Sequence, residues 1–189
     1  MARPLSPEKR NALLQSATRA IAEHGVQATT ASIARAAGVA EGTLFTYFEN
    51  KEALFQELYL NLKQSLAEAI MPDYPHEAGY RQRMAHIFQC YVGWGLDNAE
   101  QHASLGRLSA SGLVLDETRI KGMAEFLPIS RMMEMAVREN VVVGAPIELL
   151  TSVIESLADT TIDYVNKYPE GADRHRELGF HLLWKALSV

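Results

Sequence analysis

Residues 29–48 read TTASIARAAGVAEGTLFTYF, and two short helical segments can be recognised in this stretch. Apolar side chains recur at helical spacing on both sides of Gly38, where a glycine lets the chain turn sharply. Two short helices joined by such a turn form a helix-turn-helix. The residues expected to bury against a preceding helix are Ile33, Ala34, Ala37, Val39, Leu44 and Phe48.

The flanking sequence predicts the helices around this motif. Ser6 suits the start of a first helix because its hydroxyl can cap free amides, and Gly25 can end that helix. Thr30 is expected to cap the second helix, and Asn50 is expected to cap a fourth helix over residues 51–70. The helix-turn-helix is therefore predicted to lie between two longer helices.

The sequence after residue 70 also has an apolar period near that of a helix, and no segment alternates apolar and polar residues long enough to predict a sheet. The chain is predicted to be all-α, with one domain over 1–50 and a second helical domain over 51–189, bridged by the helix 51–70. Pro128 is expected to interrupt or kink a later helix. The later helices are predicted at 77–96, 99–110, 117–139, 146–167 and 171–187.

Charge is distributed unevenly along the chain, whose net charge is −5. Residues 1–65 carry seven Lys or Arg against six Asp or Glu, whereas residues 66–189 carry the remaining 11 against 17. The acidic charge therefore lies in the second part, and the first part can approach phosphate. No apolar run is long enough to span a membrane and the N-terminus lacks a secretory pattern, so the protein is expected in the cytoplasm.

The sequence offers no pattern typical of catalysis or metal binding. It has no phosphate loop, no metal-ligand spacing and no defensible catalytic triad, so we predict no catalytic residue, metal or cofactor. Cys90 is interpreted as a small buried residue, with a redox sensor as the alternative. The six histidines are scattered and His102 alone is kept as a binding candidate; an all-helical enzyme stays a rival hypothesis without a convincing pair of residues.

The second helix of the motif has a face suited to DNA. Gly42, Thr43, Thr46 and Tyr47 share one side by helical spacing, and short side chains let a helix lie deep in the major groove. An ordinary polar surface helix is the alternative. Arg3, Lys9 and Arg10 could add phosphate contacts as a basic arm, although a solvated terminus also accounts for Arg3.

The run from Thr30 to Leu54 resembles the TetR family of transcriptional regulators, and residues 179–184 (GFHLLW) resemble its last helices more loosely. The resemblance implies that Thr43 and Tyr47 contact phosphate or a base edge, and that Thr30 and Lys51 hold backbone phosphate. The complete predicted DNA-binding set is Thr30, Ala31, Glu41, Gly42, Thr43, Thr46, Tyr47 and Lys51. The segments that carry the resemblance are IA at 33–34, AGV at 37–39, GTL at 42–44, YF at 47–48 and NKEAL at 50–54.

The sequence departs from the family pattern at Ala40 and Glu41, where members usually carry a serine and a basic or polar residue. Glu41 could accept a hydrogen bond from cytosine N4, or it could simply complement the helix dipole. Phe45 stands where many members have tyrosine, so one phosphate contact through a hydroxyl is in doubt.

The second domain is predicted to bind an effector and a second copy of the chain. Flat and adaptable apolar side chains could line a pocket for a small, largely apolar effector, although most of them would equally suit a core. The predicted effector-binding residues are Met84, Phe88, Tyr91, Trp94, His102, Met123 and Phe126.

The last two helices carry more apolar surface than one helix contact needs, which indicates a partner. In the resembling family this helix pair forms a four-helix interface with its twin. The predicted dimerisation residues are Leu150, Ile154, Leu157, Leu178, Leu182, Leu183 and Trp184.

These features predict a homodimeric regulator that binds a palindromic operator in double-stranded DNA and responds to a small effector, most simply as a repressor. A small-molecule carrier whose N-terminal helices are only structural is the main alternative. Sequence-dependent DNA binding separates the two, because a carrier gives none.

Overall fold

Local sequence and side-chain packing make the chain helical throughout the part that the structure describes. The computed structural model describes residues 6–189, and this part contains no strand, only one isolated bridge between Val142 and Ser188. The prediction of an all-α fold is confirmed. The helices are α1 (Pro7–His24), α2 (Thr30–Ala36), α3 (Glu41–Tyr47), α4 (Lys51–Ile70), α5 (Tyr80–Asp97), α6 (Ala99–Ala110), α7 (Asp116–Gly122), α8 (Leu127–Arg138), α9 (Ile147–Lys167) and α10 (Ala172–Leu187).

The ends of α1 follow the sequence prediction. The Ser6 hydroxyl oxygen accepts a hydrogen bond from the Lys9 amide at 3.3 Å, and the hydroxyl donates to Glu8 at 2.6 Å. This hydrogen bond lowers the pKa of the Glu8 carboxyl, which therefore stays charged beside the positive end of the helix. Gly25 ends the helix with a φ of 68°, a conformation that favours glycine.

The predicted N-cap of α2 is wrong, and the predicted N-cap of α4 is confirmed. Thr29, not Thr30, caps α2, because the Thr29 hydroxyl oxygen accepts from the Ser32 amide at 3.1 Å. The helix therefore begins at Thr30, whose hydroxyl is left for another partner. At α4 the prediction is confirmed, since Asn50 Oδ1 accepts from the Ala53 amide at 2.7 Å.

The helix predicted over 117–139 is interrupted, as Pro128 suggested. The chain forms α7, a 3₁₀ turn at Ala124–Phe126 and then α8. The break comes before the proline rather than at it, because Pro128 is the second residue of α8, where its missing amide hydrogen leaves no helix bond unmade.

One of the two compact units consists of residues up to Gln64 together with Asn98–Met123. In it α1 packs against α2 and α6, and the guanidinium of Arg107 on α6 donates to the Ile21 carbonyl at 2.9 Å. Four of the six residues predicted to bury with the motif are buried: Ile33, Ala34, Leu44 and Phe48; Ala37 and Val39 are partly exposed.

The other unit consists of Ser65–Asp97 and residues 124–189. Its core lies where α5, α9 and α10 pack together, and Gly179 lies at a tight contact between them. A Cβ atom there would lie 2.3 Å from Thr161 Oγ1 and 3.2 Å from Phe88 Cζ, so only glycine lets α10 pack this closely.

The compact units are divided differently from the predicted domains 1–50 and 51–189. The first 14 residues of α4, all of α6 and all of α7 belong with the N-terminal helices, since α6 packs on α1. The boundary at residue 50 describes where we expect the DNA-binding function to end, and it stays a prediction.

Candidate DNA-binding helix and paired surfaces

The outward face of α3 differs in detail from the predicted one. Glu41, Gly42, Phe45 and Thr46 are exposed, whereas Thr43 and Tyr47 of the predicted set are only partly exposed. Phe45 is 45% exposed although it is a large aromatic residue. Sequence reasoning treated Phe45 only as a missing hydroxyl, and helical spacing from Glu41 and Gly42 could have placed it on this face.

Gly42 has no structural need to be glycine among the described residues. A Cβ built on it would have no atom within 4 Å apart from its immediate surroundings in the helix, and its φ is not positive. A glycine in a helix is destabilising relative to alanine by roughly 0.5–1 kcal/mol. The free space outside Gly42 is therefore available for something that approaches the helix closely.

Thr30 and Glu41 are joined across the motif. The Thr30 hydroxyl donates to Glu41 Oε1 at 2.5 Å, so the first residue of α2 contacts the first residue of α3. Neither alternative raised for Glu41 from the sequence included this contact. Ala31, also in the predicted set, is partly exposed on α2.

Tyr47 and Lys51, two other residues predicted to contact DNA, form hydrogen bonds within the first unit. The Tyr47 hydroxyl oxygen accepts from the Ser6 amide at 3.1 Å, which leaves its own hydrogen to donate. The Lys51 ammonium donates to the Val26 carbonyl at 2.9 Å and lies 5.2 Å from the centre of the Phe55 ring. An ammonium has three donors, so this carbonyl does not exhaust the capacity of Lys51.

The basic arm predicted at the N-terminus is only partly within the described residues. Arg3 lies outside them. Arg10 forms an ion pair with Glu57 and stacks over the Phe48 ring, so it ties α1 to α4 and to the end of the motif. Lys9 is exposed on α1.

The predicted dimerisation residues fall into three groups. Leu150 and Leu183 are buried in the core of the second unit, so assigning them to a partner surface was wrong: they pack within one chain. Leu178 and Leu182 are 52% and 53% exposed on α10, which leaves them free for a partner. Ile154, Leu157 and Trp184 are partly buried against the core.

A groove of about 270 Å³ runs along α9, and Leu157 is one of the residues that line it. It is lined by Ser152, Val153, Ser156, Leu157 and Thr160, three of which are small and polar. Leu149 and Tyr164 are exposed on the same helix, four residues from Val153 and from Thr160 respectively. Small residues flanked by apolar ones allow another helix to approach closely.

The predicted effector-binding residues do not form one described cluster. Met84 and Phe88 are fully buried in the core of the second unit, as the core alternative expected, and Trp94 and Phe126 are also buried. Two members of the set make polar contacts: the Tyr91 hydroxyl donates to Asp159 at 3.1 Å, and Trp94 Nε1 donates to the Ser65 hydroxyl at 3.1 Å. His102 and Met123 belong to the first unit, so the effector set as a whole stays a prediction.

Tyr91 and Cys90, next to each other on α5, both keep their protons. Burial, followed by the carboxylates of Asp159 and Glu155, raises the pKa of the Tyr91 hydroxyl, which therefore stays a donor. Burial also raises the pKa of the Cys90 thiol. A protonated thiol is a poor nucleophile, which favours the interpretation of Cys90 as a packing residue over a redox sensor.

Within residues 6–189, no three or more His, Cys, Asp or Glu side chains gather in a group that could bind a metal. In the same residues, no helix combines the length and the hydropathy that a membrane crossing requires.

In DNA-binding regulators of the helix-turn-helix class, the second helix of the motif lies in the major groove. The open space outside α3 fits this class of protein. Residues 13–58 match the family model described as "Bacterial regulatory proteins, tetR family". This match confirms the resemblance to the family for the N-terminal part of the chain. The matching family model and the relatives below are transcriptional regulators, in agreement with the prediction that the chain is not an enzyme.

Curated relatives align with the N-terminal part. The HTH-type transcriptional regulator YhgD of Bacillus subtilis is 37% identical over 87 residues, which cover 43% of this chain and 46% of the relative. The "Probable acrEF/envCD operon repressor" of Escherichia coli K12 is 44% identical over 62 residues, 32% of this chain and 28% of the relative. The chain thus spans less than half the length of these relatives.

Solved structures resemble the whole chain. A protein assigned to the tetR family of transcription regulators from Shewanella sp. PV-4 is 28% identical with a TM-score of 0.84, covering 96% of this chain and 98% of that one. A TetR-family transcription regulator from Marinobacter aquaeolei VT8 has a TM-score of 0.85 over 96% of both chains, and at 22% identity it supports the fold alone.

Proposed function

We propose that this chain is a homodimeric transcriptional regulator that binds a palindromic operator in the cytoplasm through α3 and leaves it when a small effector binds. The observation that carries the proposal is the outward face of α3. It combines Gly42, which leaves open space, with the exposed hydroxyl of Thr46 and the exposed ring of Phe45. A helix with such a face can lie deep in a major groove.

Each exposed group on α3 has a chemical counterpart in the groove. The Phe45 ring can contact a thymine methyl group, and the Thr46 hydroxyl, which donates to the Gly42 carbonyl at 3.1 Å, can still accept from a base. Tyr47 and Lys51 keep hydrogens free to donate to backbone phosphate. These roles remain proposals for the individual residues.

Dimerisation is supported by the apolar surface of α9 and α10. Leu178 and Leu182 expose about half of their surface, and the groove along α9 has the small residues that a neighbouring helix requires. Two copies paired through these helices would set their α3 helices about 34 Å apart, one turn of DNA, on two halves of a palindrome.

The effector is proposed to be small and largely apolar, and Tyr91 with Asp159 could supply a polar anchor for it. It would release DNA by favouring a state in which α3 fits the groove less well. Native mass spectrometry of the gently purified protein tests this proposal by measuring the mass of any retained ligand. Protein that carries none, with a melting temperature unmoved by a panel of apolar compounds, would count against it.

The DNA-binding proposal is tested by selecting sites for the full-length protein from random-sequence duplexes and measuring affinity by fluorescence anisotropy. We expect one palindromic site to be enriched. If each subunit makes about four phosphate contacts, affinity should fall with salt at a log-log slope of roughly −7. A carrier protein would enrich no sequence and give an almost flat slope.

The same assay separates α3 from other exposed surface. Phe45→Ala should weaken binding to the selected site by about tenfold, a typical loss for one base contact. Leu113→Ala is the matched control, because Leu113 lies in the same unit and is 44% exposed, against 45% for Phe45. Equal effects of the two substitutions would contradict the role given to α3.

A further inference from the structure

A hydrogen bond between Thr30 and Glu41 joins α2 to α3, and the proposed function does not use it. Thr30 is the first residue of α2, and Glu41 is the first residue of α3. Thr29 caps α2, so the Thr30 hydroxyl is not needed for capping, and it donates to Glu41 Oε1 at 2.5 Å. The contact therefore connects the two helices of the motif at their starting ends.

This contact uses up the donor of Thr30 but not the acceptors of Glu41. A threonine hydroxyl has one hydrogen, which Thr30 gives to the carboxylate and cannot also give to a phosphate. A carboxylate has two oxygens and about four acceptor positions, of which this bond occupies one. Glu41 Oε2 thus remains able to accept from a donor outside the protein.

The location and charge of Glu41 make a base a better partner than a phosphate for its free acceptors. It is exposed next to Gly42, beyond which there is open space, and its negative charge repels phosphate. The amino groups that bases present in the major groove are cytosine N4 and adenine N6. Adenine places the acceptor N7 beside its amino group, which a carboxylate cannot satisfy, so cytosine is the better partner.

Resting on the proposed function, we propose that Thr30 and Glu41 form a specificity-determining pair. Glu41 accepts a hydrogen bond from a cytosine amino group, and Thr30 is the positioning residue that holds its carboxylate in place. A free glutamate side chain must lose its rotamer freedom when it binds, whereas one already held by Thr30 loses less. Base selection at this position therefore depends on a residue of α2 that does not touch the base.

The test uses the full-length protein and the site selected by the wild type. Dissociation constants are measured at one salt concentration for this site and for a set of variant duplexes. In each variant, one base pair of the half-site is replaced, so that all four bases are compared at every position. We expect one C·G pair to be preferred by roughly tenfold or more, the scale of a single good base contact. Glu41→Ala and Thr30→Val should both remove most of this preference, and at the same base pair.

Two control variants separate positioning from other effects. Thr30→Ser keeps a hydroxyl and should retain the preference. Glu49→Ala removes the same charge from another exposed position, so it should change affinity for all sequences alike and leave base preference intact. Circular dichroism and melting temperatures identify any variant that is misfolded.

Each outcome bears on the pair. If Glu41→Ala leaves the preference at every position unchanged, Glu41 does not select a base and the proposal is overturned. If Glu41→Ala removes the preference while Thr30→Val weakens all sequences equally, Thr30 is a phosphate contact and the positioning role is wrong. Failure of the wild type to enrich any site would instead overturn the proposed function.

Discussion

The glycines of α10 and α3 lie in helices for opposite reasons. In α10, a Cβ on Gly179 would lie 2.3 Å from Thr161 Oγ1, so the packing of the chain itself requires glycine. In α3, a Cβ on Gly42 would meet nothing within 4 Å. Packing within the chain therefore accounts for Gly179 but not for Gly42, whose open space adjoins the exposed side chains of α3.

The outward faces of the two helices differ in the same way. α3 exposes Glu41 and Thr46 beside a single aromatic ring, whereas α10 exposes Leu178 and Leu182. Hydrogen-bonding groups suit the edges of bases, and a pair of leucines suits another apolar helix face. The exposed chemistry therefore supports the proposals that α3 binds DNA and that α10 contacts a second copy of the chain.

The largest expected effect is on dimerisation. Replacing Leu178 and Leu182 together by Glu should raise the dimer dissociation constant at least about 100-fold, because four carboxylates would be buried in each dimer. Sedimentation velocity measures this shift. Ile120→Glu is the control, because Ile120 is 73% exposed but belongs to the first unit. An unchanged dissociation constant for the double variant would remove α10 from the interface.

A smaller effect is expected on stability. Gly179→Ala should lower the free energy of unfolding by about 1–3 kcal/mol, because the added methyl group overlaps Thr161. Thermal and urea unfolding measure the loss. Gly106→Ala in α6 is the matched control, since nothing lies within 4 Å of its added methyl group. Equal stability of the two variants would show that α10 can move away from α9 without cost.

The smallest change in stability is expected for Gly42→Ala, which should nevertheless weaken DNA binding. Gly42→Ala should leave the free energy of unfolding unchanged or raise it by up to about 1 kcal/mol, because alanine favours helix. Affinity for the selected DNA should nevertheless fall several-fold, since the methyl group would occupy space that the groove requires. Gly106→Ala should stabilise similarly without changing affinity. If Gly42→Ala binds as tightly as the wild type, the open space outside Gly42 is not used.

Sequence reasoning predicted most of the helix-turn-helix because its signals are local. Gly38 has a φ of 71°, which few residues other than glycine adopt, and the apolar spacing around it places Ile33 and Leu44 in the core. Thr29 and Thr30 show the limit of such reasoning. Both can cap a helix, and the difference depends on where the chain leaves the 3₁₀ turn at Gly25–Gln27.

The exposed surfaces of α10 and α3 were harder to predict from the sequence. Helical spacing identifies apolar residues but cannot tell which side of a helix packs inside the chain when both sides are apolar. Leu182 and Leu183 are neighbours, yet the first is half exposed and the second is fully buried. Phe45 is a different case, because helical spacing from Glu41 and Gly42 does place it on the outward face of α3.

The sequence by itself determined where helices begin and turn, since caps, glycines and apolar periods act over a few residues. It also carried the family resemblance, through side chains at fixed spacing along two short helices. Only the tertiary structure decided that Thr30 contacts Glu41, that Tyr47 accepts from Ser6, and that a Cβ atom would have open space at Gly42 but not at Gly179. Such pairings depend on segments brought together by packing, which no local pattern specifies.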